Sequence, residues 1–222
     1  GRTAGGLAVS AVASIAAVLV AWPYYRSRPM ARFLETLATF REHEYNELVF
    51  YLGRHLPAHD VPWHFPVVSL GVVTPLLHLV LLGAGIAASV KVFRRQDEER
   101  AWLLLLWLWI AVPLAGQIAS GAPMLDGVRH FLTVLPPMAL LAGRGARFLA
   151  DALRAAPRGR AFVLAGAAAL AAAVADLVAE LARLHPHQVA FHNVLTGGVA
   201  GASRRFELDY WGNSLKELAA WI

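Results

Sequence analysis

The run AFVLAGAAALAAAVADLVAEL, residues 161–181, holds only two ionisable groups, Asp176 and Glu180, in 21 positions, and its reading decides the fold. A helix rises about 1.5 Å per residue, so about 20 apolar residues cross the hydrocarbon core with every backbone group bonded inside the segment. Its alanines favour helix and let neighbouring helices approach closely. Working outward, four more stretches have the same character: residues 5–22, 65–90, 101–119 and 128–142. The last is short and contains Pro136-Pro137, which is expected to kink it and free carbonyls for neighbouring helices to satisfy. The sequence therefore predicts an all-α polytopic membrane protein with about five transmembrane helices.

Composition agrees. Hydrophobic residues make up 58% of the chain and charged residues 16%, and mean hydropathy is +0.52, too apolar for an ordinary soluble domain. The formal charge of +5 is scattered among short loops rather than gathered into basic clusters, which sets nucleic acid aside as a partner. With no cysteine, structural disulfides and thiolate metal sites are excluded. Residues 5–22 lack a basic leader and are followed by further apolar spans, so they read as an anchor rather than a signal peptide. A chain that begins at Gly1 and stops at Trp221-Ile222 is expected to be a fragment of a longer protein.

Basic residues in short loops set the expected orientation. Lys91, Arg94, Arg95 and Arg100 lie in the loop 91–100, and Arg144, Arg147, Arg154, Arg158 and Arg160 in the loop 144–160. Both are expected in the cytoplasm, with the loop 23–64, the turn 120–127 and everything after His185 on the outer face. Hydropathy collapses at His185, where a soluble extracytoplasmic segment, residues 185–222, is expected to begin. Residues 31–51 have a helical apolar period through Phe33, Leu34, Leu37, Phe40, Leu48 and Tyr51, set against Arg32, Glu35, Arg41 and Glu44. That pattern suits a helix on the membrane surface or one packed on the outer domain. Trp22, Trp63, Trp102, Trp107 and Trp109 stand near span ends and read as interfacial anchors.

Ionisable side chains gather on the expected outer side: His55, His59, Asp60 and His64, then Asp126, Arg129 and His130. Arg129 has two readings. Its planar guanidinium suits bidentate grip on a phosphate at headgroup depth, with His130 as a second donor, or it snorkels while paired with Asp126. His55, His59 and His64 do not have metal-site spacing, and no metal ligand set is read. His78 inside the second span reads as a helix-packing hydrogen bonder. Asp176, Glu180 and Arg183 read as a local ion-paired helix end; a proton relay requires the acids to face a cavity. Gly197-Gly198 and Gly201 suit a tight loop or an anion-cradling nest. No nucleophile elbow and no phosphate-binding P-loop pattern occurs.

Two sets of residues resemble a known family. Pro62-Trp63-His64-Phe65-Pro66 leading to Thr74-Pro75, then Arg129-His130-Phe131, Pro136-Pro137 and Ala142-Gly143, resembles the later half of membrane glycosyltransferases of the family 39, protein-mannosyltransferase-like group. The run with His185-Pro186, His192-Asn193, Gly197-Gly198, Gly201-Ala202, Phe206-Glu207, Asp209-Tyr210-Trp211-Gly212 and Ser214 is similar to a segment after the last span of bacterial members. The resemblance implies an inverting transferase of the GT-C type in the cell inner (plasma) membrane. Such an enzyme moves a sugar from a polyprenyl-phosphate donor to an acceptor lipid, glycan or protein outside the cytoplasm. The family's acidic catalytic base lies in a loop upstream of these residues, so no catalytic residue is assigned, Asp60 included, and the fragment alone is expected to be inactive. Arg129, His130 and His64 are the expected contacts to the lipid phosphate. No cofactor is implied, and a divalent metal is neither required nor excluded. A transporter or flippase of lipid-linked saccharide wants the same cationic site without bond chemistry, and a non-catalytic scaffold would make the cluster incidental.

Overall fold

The computed structural model describes residues 2–42, 47–95, 99–157, 159–209 and 211–220. Glu44, Arg158 and Tyr210 of the readings above lie outside them. The structure is mostly helical, 72% helix and 4% strand, an all-α protein with one small hairpin among the described residues. It divides into two compact units, residues 1–45 and 46–222.

In the first unit, α1 (Arg2–Ala21) ends in a 3-10 turn (Pro23–Tyr25) and α2 (Pro29–Glu42) follows. The last carbonyls of a helix have no internal donors. Here the Arg26 guanidinium donates to the carbonyls of Leu19, at 2.8 Å, and of Val20. Phe33, Leu34 and Leu37 of α2 remain half-exposed. The predicted helical stretch 31–51 does not run through: α2 ends at Glu42, and Leu48 and Tyr51 belong to a strand.

The second unit opens with that hairpin, β1 (Leu48–Tyr51) antiparallel to β2 (Arg54–Pro57), in register Tyr51↔Arg54. Leu52 and Gly53 both take positive φ, 51° and 80°, the backbone that a two-residue hairpin turn demands. The helices α3 (Phe65–Val73), α4 (Leu76–Arg95), α5 (Arg100–Ser120), α6 (Leu135–Ala155) and α7 (Gly159–Arg183) follow. Among the described residues, α5 and α7 are long and apolar enough to cross a membrane, and Ala8–Ala21 and Leu76–Val90 are shorter apolar helices. The predicted second span, 65–90, is broken: Pro75 lacks the N–H that a helix requires, and Thr74 before it is extended (φ −84°, ψ 131°).

The predicted fourth span, 128–142, is a 3-10 segment (Arg129–Val134) that passes into α6. Pro136 and Pro137 do not kink it. They sit in the first turn of α6, where a missing N–H costs nothing. Nor do residues 144–155 form a loop. Arg147, Asp151 and Arg154 line one exposed face of α6, paired at 3.9 and 2.9 Å, while Met138, Leu141, Ala142 and Gly145 are buried on the other.

The core lies where α6 meets α4 and α5: Val92, Leu103, Leu106 and Leu141, with Leu82, Phe93, Trp107 and Ile110 around them. Trp107 is thus a core side chain rather than an interfacial anchor, whereas Trp63 and Trp102 are exposed. Helices α4 and α6 touch backbone to backbone. A Cβ on Gly85 would stand 1.9 Å from the Leu141 carbonyl oxygen, and one on Gly145 1.9 Å from that of Leu81. Arg144 reaches Glu99 at the head of α5 at 2.5 Å.

Candidate functional site

The break between α3 and α4 sets the site's floor. With Pro75 unable to donate, the Gly71 carbonyl loses its helical partner. Asn193, 3% exposed, supplies one: its Nδ2 donates to the carbonyls of Gly71 and Thr74 at 2.7 Å each, and its backbone N–H donates to Val72 O at 2.8 Å. Asn193 Oδ1 in turn accepts from Leu195 N at 3.0 Å. The segment after His185 is therefore stitched into the helical unit, and a second seam joins it to the hairpin. Phe206 bridges Tyr51, Gly53 N–H donates to Arg205 O at 3.0 Å, and Glu207 N–H donates to Phe50 O at 3.1 Å.

Between these seams lies a cavity of about 340 Å³, walled by the hairpin, α3, the residues before Arg129, the end of α7 and the segment 188–207. Tyr51, Phe65, Phe206 and His192 form a connected row of rings. Centroids are 5.1 Å apart for Tyr51–Phe65, 6.0 Å for Tyr51–Phe206 and 5.7 Å for His192–Phe206. Burial pushes the Tyr51 phenol up to about 12, so it stays protonated, and its oxygen lies 2.7 Å from His64 Nδ1. His192 Nδ1 faces Ala190 O at 3.2 Å, and burial lowers its pKa, which keeps the ring neutral near pH 7. Glu207 also faces the cavity. Burial, then repulsion from Asp126 and Glu47, raises its carboxyl above the ordinary range.

Of the residues expected to hold a phosphate, none is part of the cavity wall. Arg129 follows Val128, which is, and His64 is bonded to Tyr51, which is. Among the described residues no hydrogen bond or ion pair joins Arg129, His130 and His64 to one another. Arg129 pairs with Asp126 at 2.9 Å, the local pairing readable from their spacing, and its guanidinium lies 5.2 Å from the Trp211 ring centroid. Its side chain stays 41% exposed against 12% for Asp126. A guanidinium has five N–H donors, so one carboxylate contact leaves donors free for an anion.

The acids of α7 are not a helix-end pair: among the described residues Glu180 makes no ion pair with Arg183. Asp176 and Glu180 instead line a second cavity, about 520 Å³, together with His78 and Asn193. The glycine loop is a tight turn and not a nest. Gly197 and Gly198 take φ of 83° and 65°, and the N–H groups of Gly197, Gly198 and Gly201 donate to Val194, Asn193 and Gly197 carbonyls, leaving none for an anion. His55 and His59 are exposed, and among the described residues no group of three or more His, Cys, Asp or Glu side chains is placed to hold a metal ion.

Tyr51, His192 and Glu207 were not read as site residues. Tyr51 was absorbed into a helical period, although Val49 and Tyr51 buried against Leu48 exposed is the two-residue alternation of a strand. No local signal links Glu207 to Asp126, 81 positions away.

Comparison with protein-family models, with curated proteins and with solved structures finds no match to this chain.

Proposed function

We propose that this chain belongs to a multi-pass inner-membrane glycosyltransferase of the GT-C, inverting type, taking a sugar from a polyprenyl-phosphate donor to an extracytoplasmic acceptor lipid, glycan or protein. The reading rests on the family resemblance of the sequence. The observation that best supports it is Arg129, a partly exposed guanidinium steadied by Asp126 and Trp211 and next in sequence to Val128 of the cavity wall. A cation so held needs little reorganisation to meet the charge that develops on a departing lipid phosphate. His64, bonded to Tyr51, is read as a second donor, and His130 as a third. About five membrane-crossing segments are assigned to α1, α3 with α4, α5, the 3-10 segment with α6, and α7. No residue of the chain is assigned as the catalytic base.

The test is sugar transfer from a polyprenyl-phosphate donor by the full-length protein. Arg129→Lys keeps the charge and loses the planar fork, so the rate is expected to fall about tenfold, and Arg129→Ala about a hundredfold. Asp126→Asn, which removes only the steadying partner, is expected to cost less than either. A folded Arg129→Ala protein that transfers at the native rate would leave the arginine a snorkelling ion pair. Equal losses in all three variants with falling yield would make the pair structural.

One observation bears on the transporter alternative. Discontinuous helices whose unwound carbonyls face the substrate are a transporter device. The break at Thr74-Pro75 has the right form, but its carbonyls at Gly71, Val72 and Thr74 are taken by Asn193. That favours the transferase.

A further inference from the structure

The 340 Å³ cavity has a chemistry that the phosphate reading does not use. Its wall is the row of rings Phe65, Tyr51, Phe206 and His192, and the one ionisable acid among its lining residues is Glu207. No Lys or Arg lines it. The charged groups acting on Glu207 are Asp126 and Glu47, both acidic. Among the described residues no ion pair joins Glu207 to Arg129, whose carboxylate partner is Asp126. Among the described residues the Glu207 carboxylate accepts no side-chain hydrogen bond. A carboxylate taken partly out of water without a counter-ion is unfavourable, and the aromatic rings that line the same space are groups that attract a cation through their faces.

We propose that this cavity binds an organic cation, with Glu207 as counter-ion to its ammonium group and the rings of Phe65, Tyr51 and Phe206 as the wall for its apolar body. An anion is disfavoured by the carboxylate, and a neutral ligand leaves it unpaired. A bare metal ion would need several oxygen or nitrogen ligands, and no such group forms among the described residues. A soft, partly apolar ammonium needs one carboxylate and π faces, which is what the wall offers. The volume lies at the small end of the range of about 300–1,000 Å³ usual for ligand cavities, suiting a small amine. The inference stands apart from sugar transfer: it uses neither Arg129 nor a phosphate. The amine's source is either a soluble molecule or the headgroup of an ethanolamine lipid.

The test is calorimetric binding to the full chain in an uncharged maltoside detergent, with phenethylammonium as probe and 2-phenylethanol as its uncharged counterpart. Phenethylammonium is expected to bind at least about tenfold more tightly than the alcohol, the scale of one charge-assisted contact. Glu207→Gln should remove that advantage, and Glu207→Asp should keep most of it. Phe206→Leu keeps apolar bulk but loses a π face, so it should weaken the cation severalfold and leave the alcohol unchanged. It also serves as the second probe should Glu207→Gln fold poorly. Equal binding of the two probes, or unchanged cation binding in a folded Glu207→Gln protein, would overturn the proposal. Displacement of the probe by short-chain phosphatidylethanolamine would identify the lipid headgroup as the source. Intact probe binding without displacement would identify a soluble amine.

Discussion

Asn193 donates three hydrogen bonds, all to carbonyls on one turn of broken helix. Leaving a buried carbonyl without a donor costs about 1–3 kcal/mol. Asn193→Ala, which strands Gly71 O and Thr74 O together, is therefore expected to destabilise the protein by about 2–4 kcal/mol. Asn193→Asp should do no better, because a carboxylate brings acceptors to acceptors. Melting in detergent measures the loss, and hydrogen exchange at the Thr74 amide, bonded to Leu70 O at 3.1 Å, localises it. Native melting with unchanged exchange would mean that water serves the break as well as Asn193 does. At this scale, legibility in the sequence depended on separation along the chain. Arg129 and Asp126 are three apart, one turn, and their pair was readable as an alternative. Pro75 carries the signal for a break, which the continuous span read over 65–90 passes over; its partner stands more than a hundred residues on, and nothing local in His192-Asn193 names the carbonyls it serves.

Among the elements, α6 is the one on which sequence reading and structure differ most. Its arginines read as a loop in the sequence because charge ends a hydrophobic run. Yet Arg147, Asp151 and Arg154 recur at intervals of four and three, the spacing of a single helical face, and the signal for a longer helix was present. The hairpin was lost in the opposite direction, its short alternation overridden by the helical period before it. The contact of α4 with α6 gives this scale its prediction. No side chain fits between Gly85 and the Leu141 carbonyl or between Gly145 and the Leu81 carbonyl, since backbone atoms cannot step aside as a flexible side chain can. Gly145→Val is expected to cost about 3 kcal/mol through forced separation of the helices. Gly143→Val meets nothing within 4 Å and serves as the control, expected within about 0.5 kcal/mol of the parent. Size-exclusion profile and melting temperature distinguish them; equal behaviour of the two variants would mean that α4 and α6 do not meet at Gly145.

For the whole molecule, the proposed membrane topology is testable by which end faces outward. The Arg144–Glu99 contact brings the two stretches read as basic loops together, as a shared cytoplasmic side would require. Because the chain has no cysteine, single cysteines report without background. Ala155 and Ser203 are both exposed. Ser203→Cys is expected to react with an impermeant maleimide on intact cells, and Ala155→Cys only after the membrane is opened. The reverse pattern would invert the orientation and place the ring-lined cavity toward the cytoplasm. The helical class was legible because apolar length is a local property of the sequence. The division of the chain was not: the contacts part at residues 45 and 46, whereas the residues after His185, set apart by their polarity, are held within the second unit by the seams at Asn193 and Phe206. The seam at Asn193 also bears on the order of events at the ribosome. Residue 193 emerges 122 positions after Gly71, so at about 5–20 residues per second the carbonyls of the broken helix wait roughly 6–24 s for their final donors. Through that interval α5, α6 and α7 are being made beside an unfinished neighbour. Until then the carbonyls at the Thr74-Pro75 break must find donors elsewhere, and the segment after His185 is what relieves them.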